Sequence, residues 1–188
     1  LQHRVGNLFG LVQVIARRTA ASVETLPDFL DRFDARVQAM ARTHSYLIGT
    51  NWDRMSIGEV VTRQLEYGHD GLAGQMSILG PAILLGASEA QILSMAVHEL
   101  TTNSLKYGAL KDATGRLAVS WDRQGSHGFR FSWVETGCAP VADTGRSGFG
   151  SMILDKIVPS QLGGTAERVM GAEGLSYSLT VETRTPPK

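Results

Sequence analysis

No disulfide can close within this chain, because its 188 residues hold one cysteine, Cys138. A lone thiol excludes a cystine scaffold and fits a reducing, cytoplasmic compartment. Neither sign of charge is in excess, with 18 Lys and Arg against 18 Asp and Glu. That balance, with no basic block, excludes a polycation built for nucleic acid or for an anionic membrane surface. No run approaches the ~18 consecutive apolar residues of a membrane-spanning helix. Internal repeats and low-complexity tracts are also missing, and no secretory leader is expected. What remains has globular proportions, 43% apolar and 19% charged residues. The length suits one sizeable domain, or a domain with a small helical module. Leu1 already lies inside a helical pattern and is not a methionine, so the sequence is expected to be a fragment whose preceding part is missing.

The most informative stretch is His98-Glu99-Leu100-Thr101-Thr102-Asn103-Ser104-Leu105-Lys106-Tyr107-Gly108. It lies late in a run where Ile92, Leu93, Ala96, Val97, Leu100 and Ser104 recur at three- and four-residue steps, which predicts an amphipathic helix. Ser88 and Gln91 have the spacing of a capping box at its start. Glu99, Asn103 and Lys106 fall within roughly 60° of one another around that helix. A carboxylate, an amide and an ammonium stacked a turn apart suit a triphosphate: a base or water-orienting acid, an oxygen for Mg²⁺, and a cation for phosphate. The bland alternative is an exposed polar ladder.

Towards the amino terminus, Leu1, Val5, Leu8, Val12, Ile15 and Thr19 keep four-three spacing, and Leu30, Phe33, Val37, Met40, His44 and Leu47 keep three-four spacing. Two heptad-like seams joined by a short connection predict an antiparallel helical hairpin, with Thr25 as N-cap and Pro27 in the first turn of the second helix. Such narrow seams bury little alone. The hairpin therefore either pairs with a second copy as a four-helix bundle or docks on its own chain. His3 lies off the seam with Arg4 beside it and Asn7 a turn on. An exposed imidazole is ordinary on a helix, and it is also a competent phosphoryl acceptor. His44, on the seam, reads as packing.

Gly49-Thr50-Asn51 marks a boundary, giving modules over 1–50 and 51–188. Ser56 and Glu59 predict a second capping box opening a helix to about Tyr67. Gln75 to Leu79 and Ala82 to Leu85 read as short strands with Gly80-Pro81 as the turn between them. Leu117, Val119 and Trp121 alternate, as do Phe129, Phe131 and Trp133, which predicts a hairpin with one buried face. A helix from about Gly150 to Leu162 and strands at Thr165 to Met170 and Leu175 to Glu182 complete the order. The fold class expected is α+β: a helical hairpin, then an α/β sandwich with a mixed sheet and helices on one face.

Trp133-Val134-Glu135-Thr136-Gly137 ends the strand hairpin, and Arg146-Ser147-Gly148-Phe149-Gly150 opens the last helix. Glycines there let backbone approach a ligand and leave N–H groups free for phosphate. Each motif alone reads equally as a turn. Glu135 at a strand end suits either an adenine amine or the surface, and 138–147 either closes over a nucleotide or merely connects.

Taken in order, His3-Arg4-x-x-Asn7, His98-Glu99-Leu100-x-x-Asn103-x-x-Lys106-Tyr107-Gly108-Ala109-Leu110, Trp133-x-Glu135 and Gly148-Phe149-Gly150 resemble the HWE family of bacterial sensor histidine kinases. The resemblance runs from Leu1 to about Glu182. It implies a dimerisation and phosphotransfer hairpin followed by an ATP-binding domain of the Bergerat type, shared by gyrase, Hsp90, histidine kinases and MutL. It implies His3 as phosphoacceptor, Glu99 as the orienting or deprotonating acid, and Asn103 as Mg²⁺ ligand. Lys106, Tyr107, Glu135, Gly137, Arg146, Gly148, Phe149 and Gly150 become contacts to ATP, with Glu135 on the adenine amine. His98 marks the family without a firm physical role. A response-regulator receiver domain, an upstream sensory domain and a second copy of the hairpin are the partners implied. The family usually reads His-Arg-x-Lys-Asn, and Gly6 stands in place of that lysine. A helical glycine costs about 1 kcal/mol against alanine and removes a positive charge near the acceptor. That departure gives some support to a second expectation, a non-catalytic nucleotide-binding scaffold that sequesters a response regulator. A stand-alone ATPase or a protein-serine kinase would leave the hairpin and its histidine unexplained.

Overall fold

The computed structural model describes residues 12–13, 15–17, 19–21, 23–49, 54–66, 73–138 and 149–182; for residues 39–49, 66, 73 and 149 it describes the backbone alone. His3, Arg146, Gly148 and the expected 49–51 boundary fall wholly or partly outside this set.

Two helices form the amino-terminal part: α1, helical at 12–13, 15–17 and 19–20, and α2, Leu26–Gly49. Thr25 caps α2 as its chemistry predicts, its hydroxyl accepting the Asp28 amide N–H at 3.2 Å. In the described residues the hairpin packs on its own chain. Ile15 and Thr19 are fully buried, and α2 packs along α4, Ala87–Tyr107.

Between them come β1 (Arg54–Ser56), α3 (Ile57–Glu66), β2 (Met76–Leu79) and β3 (Leu84–Gly86). The Ser56–Glu59 capping box forms, with Glu59 Oε2 accepting the Ser56 amide N–H at 2.8 Å and Ser56 Oγ accepting the Glu59 amide N–H at 3.2 Å. The capping box expected at Ser88 and Gln91 does not start α4. The helix begins at Ala87, and Glu89 Oε2 accepts the Gly86 N–H at 2.7 Å instead.

The two short strands flanking Gly80-Pro81 exist but do not pair with each other. β2 runs parallel to β4 (Arg116–Gln124), and β3 pairs antiparallel with β1. The cause is Trp121. The chain crosses directly over its indole at Gly80, where a Cβ would collide with the ring, and Trp121 Nε1–H donates to Pro81 O at 2.8 Å. The main sheet has the order β2-β4-β5-β7-β6, with β5 at Gly128–Thr136, β6 at Thr165–Met170 and β7 at Leu175–Val181. Period-two alternation fixes its buried face: Val119, Trp133 and Tyr177 sit in one cross-strand row, and Trp121, Phe131 and Leu179 in the next. Helix α4 and the carboxy-terminal helix cover that face.

The carboxy-terminal helix is not uniform. α5 (Phe149–Met152) and α6 (Val158–Leu162) are joined by a π-turn, Ile153–Ile157. Pro159 lacks an N–H and its ring would press on the carbonyl of Asp155, four residues back. The wider turn relieves that clash, with Val158 N–H bonding to Ile153 O.

Candidate functional site

Helix α4 rises out of the core towards its carboxy terminus. Leu93, Val97 and Leu100 are fully buried on one side, while on the other Glu99 is 5% exposed, Asn103 is half-buried, Lys106 is exposed and Tyr107 is 60% exposed. The ladder expected from spacing is thus graded, with the acid deepest and the ammonium outermost. Gly108 N–H closes the last turn on Ser104 O at 2.9 Å.

The start of α5 comes down on this ladder. A Cβ on Gly150 would lie 2.9 Å from Glu99 Oε2 and 3.6 Å from Asn103 Nδ2. Two motifs 47 residues apart in sequence therefore meet, and at that contact only a glycine fits without displacing the acid.

Glu99 has a partner from the hairpin. Arg36 Nε–H donates to Glu99 Oε1 at 2.8 Å and Nη2–H to Oε2 at 3.4 Å, with side chains 11% and 7% exposed. Arg36 Nη1–H also donates to Thr19 Oγ1 at 3.1 Å, and the Thr19 hydroxyl donates to Ile15 O at 2.7 Å. One guanidinium thus ties α1 and α2 to the acid on α4. A shallow hollow beside it is lined by Arg36, Met95, His98, Glu99 and Ile153.

Glu135 is held differently. Trp133 and Glu135 are two apart on β5 and share its buried face. Trp133 Nε1–H donates to Glu135 Oε1 at 2.9 Å, and Ala109 N–H donates to Oε2 at 3.0 Å. The carboxylate lies so close over Gly108 that a Cβ there would overlap Oε2. Both oxygens keep lone pairs beyond these bonds, since a carboxylate accepts about four. The Trp-x-Glu pair therefore fastens the end of α4 to the sheet directly behind Lys106 and Tyr107. Gly137, at φ +71°, turns the chain out of β5. Next to it, Cys138 N–H bonds to Glu173 O at 3.3 Å, and burial and then the Glu135 charge push the Cys138 thiol up.

The structure thus brings together Glu99, Asn103 and Gly150, with Lys106 and Tyr107 on the following turn and Glu135 beneath the helix end. Phe149 starts α5, and Gly137 stands at the far end of the Trp-x-Glu strand. Two contributors were missed in the sequence: Arg36, and Thr19 beyond its seam position. Nothing in the sequence separates Arg36 from Arg32 and Arg42 on the same helix except its place three residues after the seam residue Phe33, at the flank of a packed face.

As a metal site the protein donor set is thin. Among the described residues no group of three or more His, Cys, Asp or Glu side chains could hold an ion. Mg²⁺ characteristically takes one or two protein oxygens and completes its shell with phosphate and water, so the half-buried Asn103 amide fits a metal that arrives with a nucleotide. Among the described residues no helix is long and apolar enough to cross a membrane.

The family model described as HWE histidine kinase matches residues 1–82. Blue-light-activated histidine kinase 1 of Erythrobacter litoralis (strain HTCC2594) is 32% identical over 191 residues, covering 99% of this chain and 52% of its own length. The blue-light-activated histidine kinase of Rhizobium johnstonii is 31% identical over 188 residues, covering 99% and 53%. The chain spans about half the length of these curated relatives. Among solved structures, the blue-light activated histidine kinase of Erythrobacter litoralis EL346 superposes with a TM-score of 0.70 at 13% identity, over 96% of this chain and 59% of that one. The histidine kinase domain of the same protein superposes with a TM-score of 0.59 at 11% identity. At such identities the likeness shows the fold, that of a histidine kinase catalytic region.

Proposed function

From its likeness to the HWE histidine kinases, we propose that this chain transfers the γ-phosphoryl group of ATP to His3 and then relays it to an aspartate on a response-regulator receiver domain. The observation that supports this reading most is the meeting of Glu99 and Asn103 with Gly150 at the start of α5. An acid, an amide oxygen and a glycine-opened helix start, followed by an outward ammonium, make the set that phosphoryl transfer asks for.

In this reading Asn103 would supply one oxygen to Mg²⁺, which when bound would offset charge on the phosphates. Lys106, exposed on the next turn, meets phosphate oxygens, with Arg146, Tyr107 and the 148–150 segment as further contacts. Glu135, fixed by Trp133 and Ala109, accepts from the adenine amine through its remaining lone pairs. Glu99 orients the His3 imidazole and takes its ring proton. The other ring nitrogen forms the P–N bond as the bond to the bridging oxygen breaks and ADP leaves. The acceptor must come to about 3 Å from the phosphorus, so the hairpin has to move against the catalytic domain.

The test is incubation with γ-labelled ATP and Mg²⁺. Base-stable, acid-labile label is expected on the wild type and none on His3→Ala, with nucleotide affinity intact in both. Label that persists in His3→Ala would overturn the assignment.

A further inference from the structure

We infer that Arg36 acts through Glu99 as the positioning residue that keeps the acid engaged and closed to the phosphoacceptor, so that the hairpin must release this guanidinium before transfer can occur. The inference rests on the function proposed above and adds the step that gates it.

Three features carry it. First, Glu99 is closed in. Both oxygens accept from Arg36, and the remaining approach is narrowed by the Gly150 backbone, so near that a Cβ there would lie 2.9 Å from Oε2, and by Ile153, Met95 and His98 around the adjoining hollow. A general base must come within about 2.6–3.2 Å of the proton it takes, and an imidazole would need the place Arg36 occupies.

Second, the competitor belongs to the moving part. Arg36 lies on α2, and its Nη1–H is braced on Thr19 of α1, whose hydroxyl is anchored to Ile15 O. The two helices of the hairpin hold the guanidinium in common. It leaves Glu99 when they leave.

Third, the pair is dry. At 11% and 7% side-chain exposure, little solvent screens it. Removing one partner of a buried pair leaves an uncompensated charge and is strongly unfavourable. For the docked hairpin the way out is to undock. The latch is therefore self-consistent: docking shields the acid and the acid holds the dock. Nucleotide phosphates arriving a turn away at Asn103 and Lys106 supply a rival anion for the guanidinium.

The experiment compares wild type, Arg36→Ala, Arg36→Lys and Glu99→Gln by two readouts. Hydrogen exchange at the Ile15 and Thr19 amides reports docking without any need for catalysis. Steady-state phosphohistidine formation reports kcat and KM for ATP. Arg36→Ala should exchange at least about tenfold faster at those amides and raise kcat about tenfold with KM nearly unchanged. Arg36→Lys keeps the charge and loses the fork, so it should fall between. Glu99→Gln should undock to the same extent while losing transfer, and the double variant should be no more open than either single one. An unchanged or lower kcat in Arg36→Ala, or exchange that matches wild type, overturns the gate. Loss of label in every variant, wild type included, would instead count against the kinase reading, and the exchange comparison would still decide whether the pair holds the hairpin.

Discussion

Two carboxylates in this chain are almost equally buried, Glu99 at 5% and Glu135 at 4% exposure. They are satisfied in opposite ways. Glu135 takes two neutral N–H groups from its own domain, Trp133 Nε1 two residues away and Ala109 N at the end of α4. Glu99 takes one charged group from 63 residues earlier, on helix α2. Burial alone does not say what an acid is for; the provenance of its donors does. A carboxylate held by the elements it joins is a fastener that lasts as long as the fold. One held from a docked hairpin can be let go while the sheet and α4 stay intact.

The sharpest way to break this contrast is to neutralise each acid in turn. Glu99→Gln should lower phosphohistidine formation by about 10²- to 10⁴-fold, the usual worth of a general base, while leaving the sheet domain folded. Glu135→Gln should lose stability first, with a smaller loss of transfer that appears as a raised KM for ATP. Its amide turns an NH₂ towards one of two N–H donors and leaves a buried group unpaired, at about 1–3 kcal/mol, read as a shift in the urea midpoint. If the two profiles were exchanged, the distinction would be lost.

A smaller effect sharpens the Glu135 side. Gly108→Ala sets a Cβ against Oε2, and such overpacking costs about 1–3 kcal/mol. Combining it with Glu135→Asp, which draws the carboxylate back, should recover part of the melting temperature. Additive losses would mean that the close approach is incidental.

The smallest effect is invisible at neutral pH. Tyr177 is fully buried, its hydroxyl donates to Leu154 O at 3.1 Å, and burial, then the Asp155 charge, push the phenol well above its ordinary range. The unfolded phenol ionises from about pH 10 while the folded one stays protonated. Stability is therefore level below that pH and falls as pH rises through it. Tyr177→Phe should flatten that fall in denaturation midpoints taken at pH 8 and pH 11, and equal slopes in the two proteins would refute the assignment.

Much of the fold was legible because its elements announce themselves locally. The alternation through Leu117 to Trp121 and Phe129 to Trp133, the Ser56–Glu59 box and the period of α4 need no distant partner. The strand pairing across Gly80-Pro81 was not legible, since it depends on Trp121 lying 41 residues beyond Gly80. Of the site, the Glu99–Asn103 ladder could be read from helical spacing, and Trp133 beside Glu135 from strand periodicity. Arg36 could not, because its role arises only once α2 lies along α4. The π-turn at Ile153–Ile157 was hidden too, although Pro159 pointed to it.

The short ribbon of β1 and β3 adds something further. Arg54 is in register with Gly86, and Gly86 caps α4. The polypeptide that leaves the hairpin is thus sewn by main-chain bonds to the first turn of the very rod whose fourth turn bears Glu99. Tension arriving from the amino-terminal side is delivered at one end of that rod, while the guanidinium grips it further along. With two points of purchase, a pull tilts α4 about a fulcrum instead of sliding it, so even a slight lean would reach Lys106 and Tyr107 at the far tip with the greatest travel.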